Sequence, residues 1–136
     1  MIMNSEYVIN INSLALAYLG DSIYEVYIRK YLVDKGIAKV KDLQSESIKY
    51  VSASSQAKFF KQLVDNNILT NDEMSVALRA RNHSSHRSKS TDILSYKHST
   101  ALEAVIGYLY LSNKKNRIDE LINYILGGNY YGTLNR

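Results

Sequence analysis

The sequence of 136 residues contains no cysteine, no proline and no tryptophan, and these absences narrow what the chain can be. Without cysteine there are no disulfides, thiolate metal sites or cysteine nucleophiles. Without proline, long uninterrupted helices are favoured over a turn-rich β architecture. No secretory signal, membrane span, phosphate-binding glycine loop or dinucleotide motif is visible, so we expect a cytoplasmic protein without membrane association or nucleotide cofactor. The length favours a single domain over residues 1–136.

Apolar periodicity and capping residues predict an all-α fold. The first long helix is expected from about 13 to 33, after a cap at Asn12 or Ser13, and two helices are expected between 39 and 65 with a break near 52–55. A capping box formed by Thr70 and Glu73 opens the next helix. After a loop over about 82–94, further helices are expected at about 96–112 and 116–126, and the tail from about 128 to 136 is expected to be loosely held.

Two carboxylates stand inside apolar helical runs. Asp21 lies in LALAYLGDSIYEVYI, and Glu103 is the only charged residue of ALEAVIGYLYL. Gly20 precedes Asp21, and Gly107 follows Glu103 by one helical turn. A lone carboxylate on a buried helix face costs on the order of several kcal/mol unless it is compensated, and an interior glycine costs about 1 kcal/mol. Two such costly features in well-formed helices indicate a functional site.

The two glycines permit close approach of their helices, which would bring Asp21 and Glu103 together. A Mg²⁺ ion between the two carboxylates would relieve their repulsion and turn them into metal ligands. The alternative is that each acid pairs with a lysine or arginine. Glu25 is a possible further ligand, but an ion pair with Arg29, one turn later, is the favoured interpretation.

One segment carries the whole net charge of +4. The segment from Arg79 to Lys97 contains five basic residues and one acidic residue. In the rest of the chain the numbers of acidic and basic residues are equal. Cations mixed with hydroxyl and amide donors suit a phosphate backbone, although a solvated polar loop is the alternative. The candidate RNA-binding residues are Arg79, Arg81, Asn82, His83, Arg87, Lys89 and Lys97.

The motifs resemble those of a known family. LAYLGDSIYEVYIR resembles the signature helix of the ribonuclease III catalytic domain, and STALEAVIGYLYL resembles its second acidic motif. The segment LRARNHSSHRSKSTDILSYKHSTALEA and the short chain are similar to the small bacterial members of that family, which lack a double-stranded-RNA-binding domain.

The resemblance carries over residue by residue. Asp21 matches the signature aspartate and Glu103 matches the glutamate of the second motif, which implies that both are catalytic metal ligands. Ala17 and Thr100 stand where larger family members have two further acids. The departure leaves open whether one or two metal ions bind.

The resemblance implies a helical, homodimeric, Mg²⁺-dependent endoribonuclease that cleaves double-stranded RNA, with the precursor of 23S ribosomal RNA as substrate. It also implies a dimer surface on the first long helix and its tyrosines. Two alternatives are a catalytically silent double-stranded-RNA-binding dimer, suggested by Ala17 and Thr100, and a helical dimeric scaffold whose acids pair with basic residues.

Overall fold

A computed structural model describes residues 4–84 and 92–130, and its regular secondary structure in these two ranges is entirely helical. The helices are α1 (Ser5–Val8), α2 (Ser13–Asp34), α3 (Val40–Val51), α4 (Ala53–Asp65), α5 (Asn71–His83), α6 (Ile93–Leu111) and α7 (Lys115–Ile125). The predicted all-α fold is confirmed. No helix within these ranges has the length and apolar character needed to cross a bilayer.

The capping residues set the helix boundaries as predicted. The Asn12 side chain accepts hydrogen bonds from the backbone N–H groups of Leu14 and Ala15 at the start of α2. Ser52 separates α3 from α4 and caps the latter. Thr70 and Glu73 form both bonds of the capping box that opens α5.

Helix α6 begins at Ile93, three residues before its predicted start. The Asp92 side chain accepts a hydrogen bond from the backbone N–H of Ser95 at 2.8 Å and caps the helix there. Helix α1 was not predicted, because a helix of four residues is too short to show apolar periodicity.

Within the predicted loose tail, Tyr130 packs against the protein. Tyr130 is buried, and its ring lies 6.0 Å from that of Tyr27 on α2. Residues 131–136 lie outside the described ranges, so the loosely held tail stays a prediction.

Helix α6 occupies the centre of the molecule. Helices α2, α4 and α5 pack around it, and α1 and α7 also contact it. Every residue from Ser99 to Leu109 except Glu103 is buried. A helix enclosed on nearly all sides is apolar all round, which explains why Glu103 is the only charged residue in its run.

Helices α2 and α6 cross with their backbones in contact at the two glycines. A Cβ atom on Gly20 would overlap the carbonyl oxygen of Glu103 and lie 2.8 Å from the amide nitrogen of Gly107. A Cβ atom on Gly107 would overlap the carbonyl oxygen of Leu16. The predicted close approach is confirmed, and it places Asp21 beside Glu103.

Candidate active site

Asp21 and Glu103 line one groove of about 300 Å³ where α2 and α6 cross. The two carboxyl groups are near enough for the charge of Asp21 to act on Glu103. The groove is also lined by Leu14, Ala17, Tyr18, Ser84, Tyr96 and Thr100. The sequence thus predicted correctly that the two acids meet, and their role as metal ligands stays a prediction.

The two acids differ in their exposure to solvent. Glu103 is largely buried, whereas Asp21 is exposed at the mouth of the groove. The expectation that both carboxylates lie on buried helix faces is therefore wrong for Asp21, because its side of α2 faces the open groove. Burial, together with the negative charge of Asp21 and the hydrogen bond to it, raises the pKa of Glu103 to about 8.

Neither acid belongs to an ion pair with a basic side chain among residues 4–84 and 92–130. The described part of the chain therefore gives no support to the alternative in which each acid pairs with its own cation. Glu25, by contrast, pairs with Arg29 at 2.8 Å on the surface of α2. The interpretation of Glu25 as an ordinary helix ion pair is confirmed.

The buried side of Glu103 is closed by a glutamine and a tyrosine. Gln56 on α4 places its Nε2 atom 3.4 Å from Oε2 of Glu103. Tyr24 is fully buried, and its hydroxyl donates to the backbone carbonyl of Tyr50 at 2.8 Å. Burial and the nearby charge of Glu103 raise the pKa of Tyr24, so this phenol remains neutral.

Gln56 has no local signal in the sequence, because its contact with Glu103 joins residues 47 positions apart. Tyr18, by contrast, has a local signal. It is 84% exposed and lines the groove one helical turn before Asp21. Helical spacing alone could have placed Tyr18 beside the site.

Thr100 contributes a hydroxyl at the position where the resemblance implies a carboxylate in larger family members. Its Oγ1 donates to the backbone carbonyl of Tyr96 at 2.8 Å and lies 3.5 Å from Oγ of Ser84. Thr100 and Ser84 both line the groove. The missing acid is therefore replaced by a pair of neutral hydroxyl groups beside Glu103.

The groups around the groove fit a hard divalent cation. The polar side chains that line it all present oxygen atoms, from two carboxylates and the hydroxyls beside them, and oxygen is the ligand that Mg²⁺ prefers. Among the residues that the structure describes, no third His, Cys, Asp or Glu completes a metal-binding cluster with Asp21 and Glu103. Most ligands of an ion at this site would therefore be water and substrate phosphate oxygens.

Three of the candidate RNA-binding residues, Arg79, Arg81 and Asn82, make hydrogen bonds within the protein. The guanidinium of Arg79 donates to the backbone carbonyl of Ile9 and ties the segment after α1 to α5. Arg81 donates through Nε and Nη2 to Oδ1 of Asn82, each at 3.3 Å. The contact of Arg79 indicates a structural role for that side chain.

Asn82 and the other candidates lie at the end of α5, on α6, or beyond the described residues. Asn82 and His83 are exposed in the last turn of α5, and Lys97 is half-buried near the start of α6. Arg87 and Lys89 fall in the segment 85–91, outside the described ranges.

The fold and the paired acids correspond to a known class of protein. Residues 14–114 match the family model of the ribonuclease III domain, and the chain belongs to the ribonuclease III family. The recognition made from the two motifs is confirmed, and with it the predicted class of activity, endoribonuclease.

Within this family the chain is similar to proteins named Mini-ribonuclease 3. It is 43% identical to the one from Staphylococcus aureus, over 85% of this chain and 87% of that protein. It is 38% identical to the one from Streptococcus pneumoniae, over 85% and 91%. The crystal structure of a Fusobacterium nucleatum protein superposes with a TM-score of 0.77 and 33% identity, covering 86% of this chain and 93% of that one.

Proposed function

We propose that this protein is a Mg²⁺-dependent endoribonuclease that cleaves double-stranded RNA, with Asp21 and Glu103 as metal ligands. The observation that carries the proposal is the meeting of these two carboxylates in a groove, without a basic partner among the described residues. The resemblance to the small members of the family supports a cytoplasmic homodimer that matures the precursor of 23S ribosomal RNA.

The residues of the groove have different proposed roles in hydrolysis. Mg²⁺ held by Asp21 and Glu103 would stabilise charge on the phosphoryl oxygens and lower the pKa of an attacking water. Asp21, at the exposed mouth, would face the substrate, and the hydroxyl oxygens of Thr100 and Ser84 line the groove, where they can accept hydrogen bonds from water. Water attack on phosphorus breaks the bond to the 3′ oxygen, which leaves a 5′-phosphate and a 3′-hydroxyl.

Exposed apolar side chains support the homodimer. Val26 and Val33 on α2 and Val40 and Ile48 on α3 are each more than 55% exposed in the single chain. Helices α2 and α3 pack against each other, so we place the dimer contact on their outer side. This agrees with the first long helix as the dimer surface, a placement that the resemblance to the family implies.

The basic segment from Arg81 to Lys97 would hold the RNA, through phosphates and 2′-hydroxyls rather than base edges. Replacing Arg81, Arg87 and Lys89 together by glutamine is expected to weaken duplex binding. It should also reduce the slope of log affinity against log salt by roughly 0.9 for each phosphate that the variant no longer neutralises. Titrations of a fluorescent RNA duplex at several salt concentrations measure both effects.

The matched control neutralises three exposed lysines that lie away from the groove. Lys35 follows the C-terminal end of α2, and Lys114 and Lys115 follow the C-terminal end of α6. It removes the same charge and should leave the slope nearly unchanged. An unchanged slope in the Arg81, Arg87 and Lys89 variant would remove this segment from the RNA interface.

Incubating the purified protein with a long RNA duplex tests the proposed function directly. With Mg²⁺ present we expect internal cleavage to products that carry 5′-phosphates and 3′-hydroxyls, and with a chelator we expect none. Duplex binding without cleavage would support the catalytically silent module, and the absence of both would support the helical scaffold.

A further inference from the structure

Gln56 is a buried amide at the base of the candidate active site. It lies on α4, is 2% exposed, and donates from Nε2 to the backbone carbonyl of Val51 at 3.0 Å. The same nitrogen lies 3.4 Å from Oε2 of Glu103. One amide group therefore links the α3–α4 junction to the acid on α6.

The environment fixes the orientation of this amide. The Val51 carbonyl and the Glu103 carboxylate are both acceptors, so the NH₂ end of the amide must face them. Its oxygen, Oε1, is buried and has no hydrogen-bond partner among the described residues. An unpaired buried acceptor costs free energy that an apolar side chain of the same length would avoid. Packing alone therefore does not explain why an amide side chain occupies position 56.

Among the described residues, no other neutral side chain donates a hydrogen bond to Glu103. The Tyr24 hydroxyl is near, but it gives its proton to the Tyr50 carbonyl. The hydroxyl of Thr100, one turn before Glu103, donates to the Tyr96 carbonyl. The hydrogen bond from Gln56 is thus the one that can hold the carboxyl group in a single rotamer from its buried side.

We propose that Gln56 is a positioning residue, which binds Oε2 of Glu103 on the buried side so that Oε1 faces Asp21 and the groove. The inference rests on the proposed function, since the orientation matters only if Glu103 binds a cation. Groups that orient metal ligands in this way typically change metal affinity 10- to 100-fold when removed.

Calorimetric titration with Mn²⁺, without RNA, tests the inference on Gln56→Met. Methionine keeps the length of the side chain, removes the donor and also removes the unpaired acceptor. It also removes the hydrogen bond to the Val51 carbonyl, so denaturant unfolding first checks that the variant is folded. We expect the dissociation constant for Mn²⁺ to rise by about tenfold or more. The Mg²⁺ concentration for half-maximal cleavage should rise by a similar factor, while the cleavage rate at saturating Mg²⁺ stays within roughly threefold of the parent. A purely structural role would not raise the Mg²⁺ requirement while leaving the cleavage rate at saturating Mg²⁺ nearly unchanged.

Gln62→Met, on the exposed side of the same helix, is the matched control and should bind Mn²⁺ like the parent. Gln56→Leu repeats the test with a second apolar side chain if the methionine variant unfolds. Parent-like Mn²⁺ affinity in a folded Gln56 variant, with affinity lost in Glu103→Gln, would overturn the inference and leave the proposed function standing. Failure of the parent itself to bind Mn²⁺ and to cleave RNA would overturn both.

Discussion

Replacing Asp21 by asparagine or Glu103 by glutamine is expected to reduce cleavage of double-stranded RNA by on the order of 10³-fold. The amides keep the size and most of the hydrogen bonding of the acids but lose the negative charge that would hold the cation. Because we propose that RNA binding depends on the basic segment rather than on these acids, the affinity for an RNA duplex should change little. Single-turnover cleavage and duplex binding, measured on the same preparations, separate the two effects.

The stability of the Glu103→Gln variant supplies the control for folding. In the metal-free folded protein the pKa of Glu103 is raised from 4.5 to about 8, so the folded state retains a proton that the unfolded chain has lost. The free energy of unfolding therefore falls as the pH rises from 4.5 to 8. Glutamine has no proton to lose, so the variant should be at least as stable as the parent at pH 8. A sharply lower melting temperature, with cleavage retained, would contradict the metal-ligand role and favour a structural one.

Replacing Gly20 by alanine is expected to destabilise the protein by roughly 3 kcal/mol or more. The added methyl group would overlap the backbone carbonyl of Glu103, and backbone atoms on a central helix cannot move aside as a flexible side chain can. Helices α2 and α6 would have to separate, which moves Asp21 away from Glu103 and should also abolish cleavage. Denaturant unfolding measures the loss of stability.

Ser22→Ala is the matched control for this substitution, since Ser22 is exposed on the same helix and should tolerate alanine with little change in stability. A Gly20→Ala variant whose free energy of unfolding equals that of the parent would show that the two helices do not depend on backbone contact here.

Local features of the fold could be predicted from the sequence because their causes are local. Asn12 and the Thr70–Glu73 pair act on backbone groups within a few residues, so the starts of α2 and α5 followed from the residue types. Asp92 has the same kind of effect at the start of α6, but its polar surroundings resemble a loop and hide the cap.

The convergence of the two acids was also predictable, although it joins distant segments. Gly20 and Gly107 each reduce the stability of their own helix, and the close contact between the two helices compensates this loss. A glycine inside each helix therefore predicts the place where the helices cross. The identification of the ribonuclease III motifs then gave the class of activity.

The contacts of Gln56 and Arg79 could not be predicted. Both contacts depend on which residues of other segments lie nearby in the folded protein. The number of charges in a segment does not predict which way each side chain points. Arg79 was therefore grouped with the basic segment, although its guanidinium donates to the backbone carbonyl of Ile9.

Calorimetric Mg²⁺ titration of the metal-free protein, in two buffers of different ionisation enthalpy, measures directly whether Asp21 and Glu103 bind a cation. We expect the ion to bind and to displace a proton from Glu103 below about pH 8, so that affinity rises with pH up to that value and then levels off. Asp21→Asn and Glu103→Gln should each lose this binding. Parent-like Mg²⁺ binding in both variants, or no binding in the parent, would contradict the account.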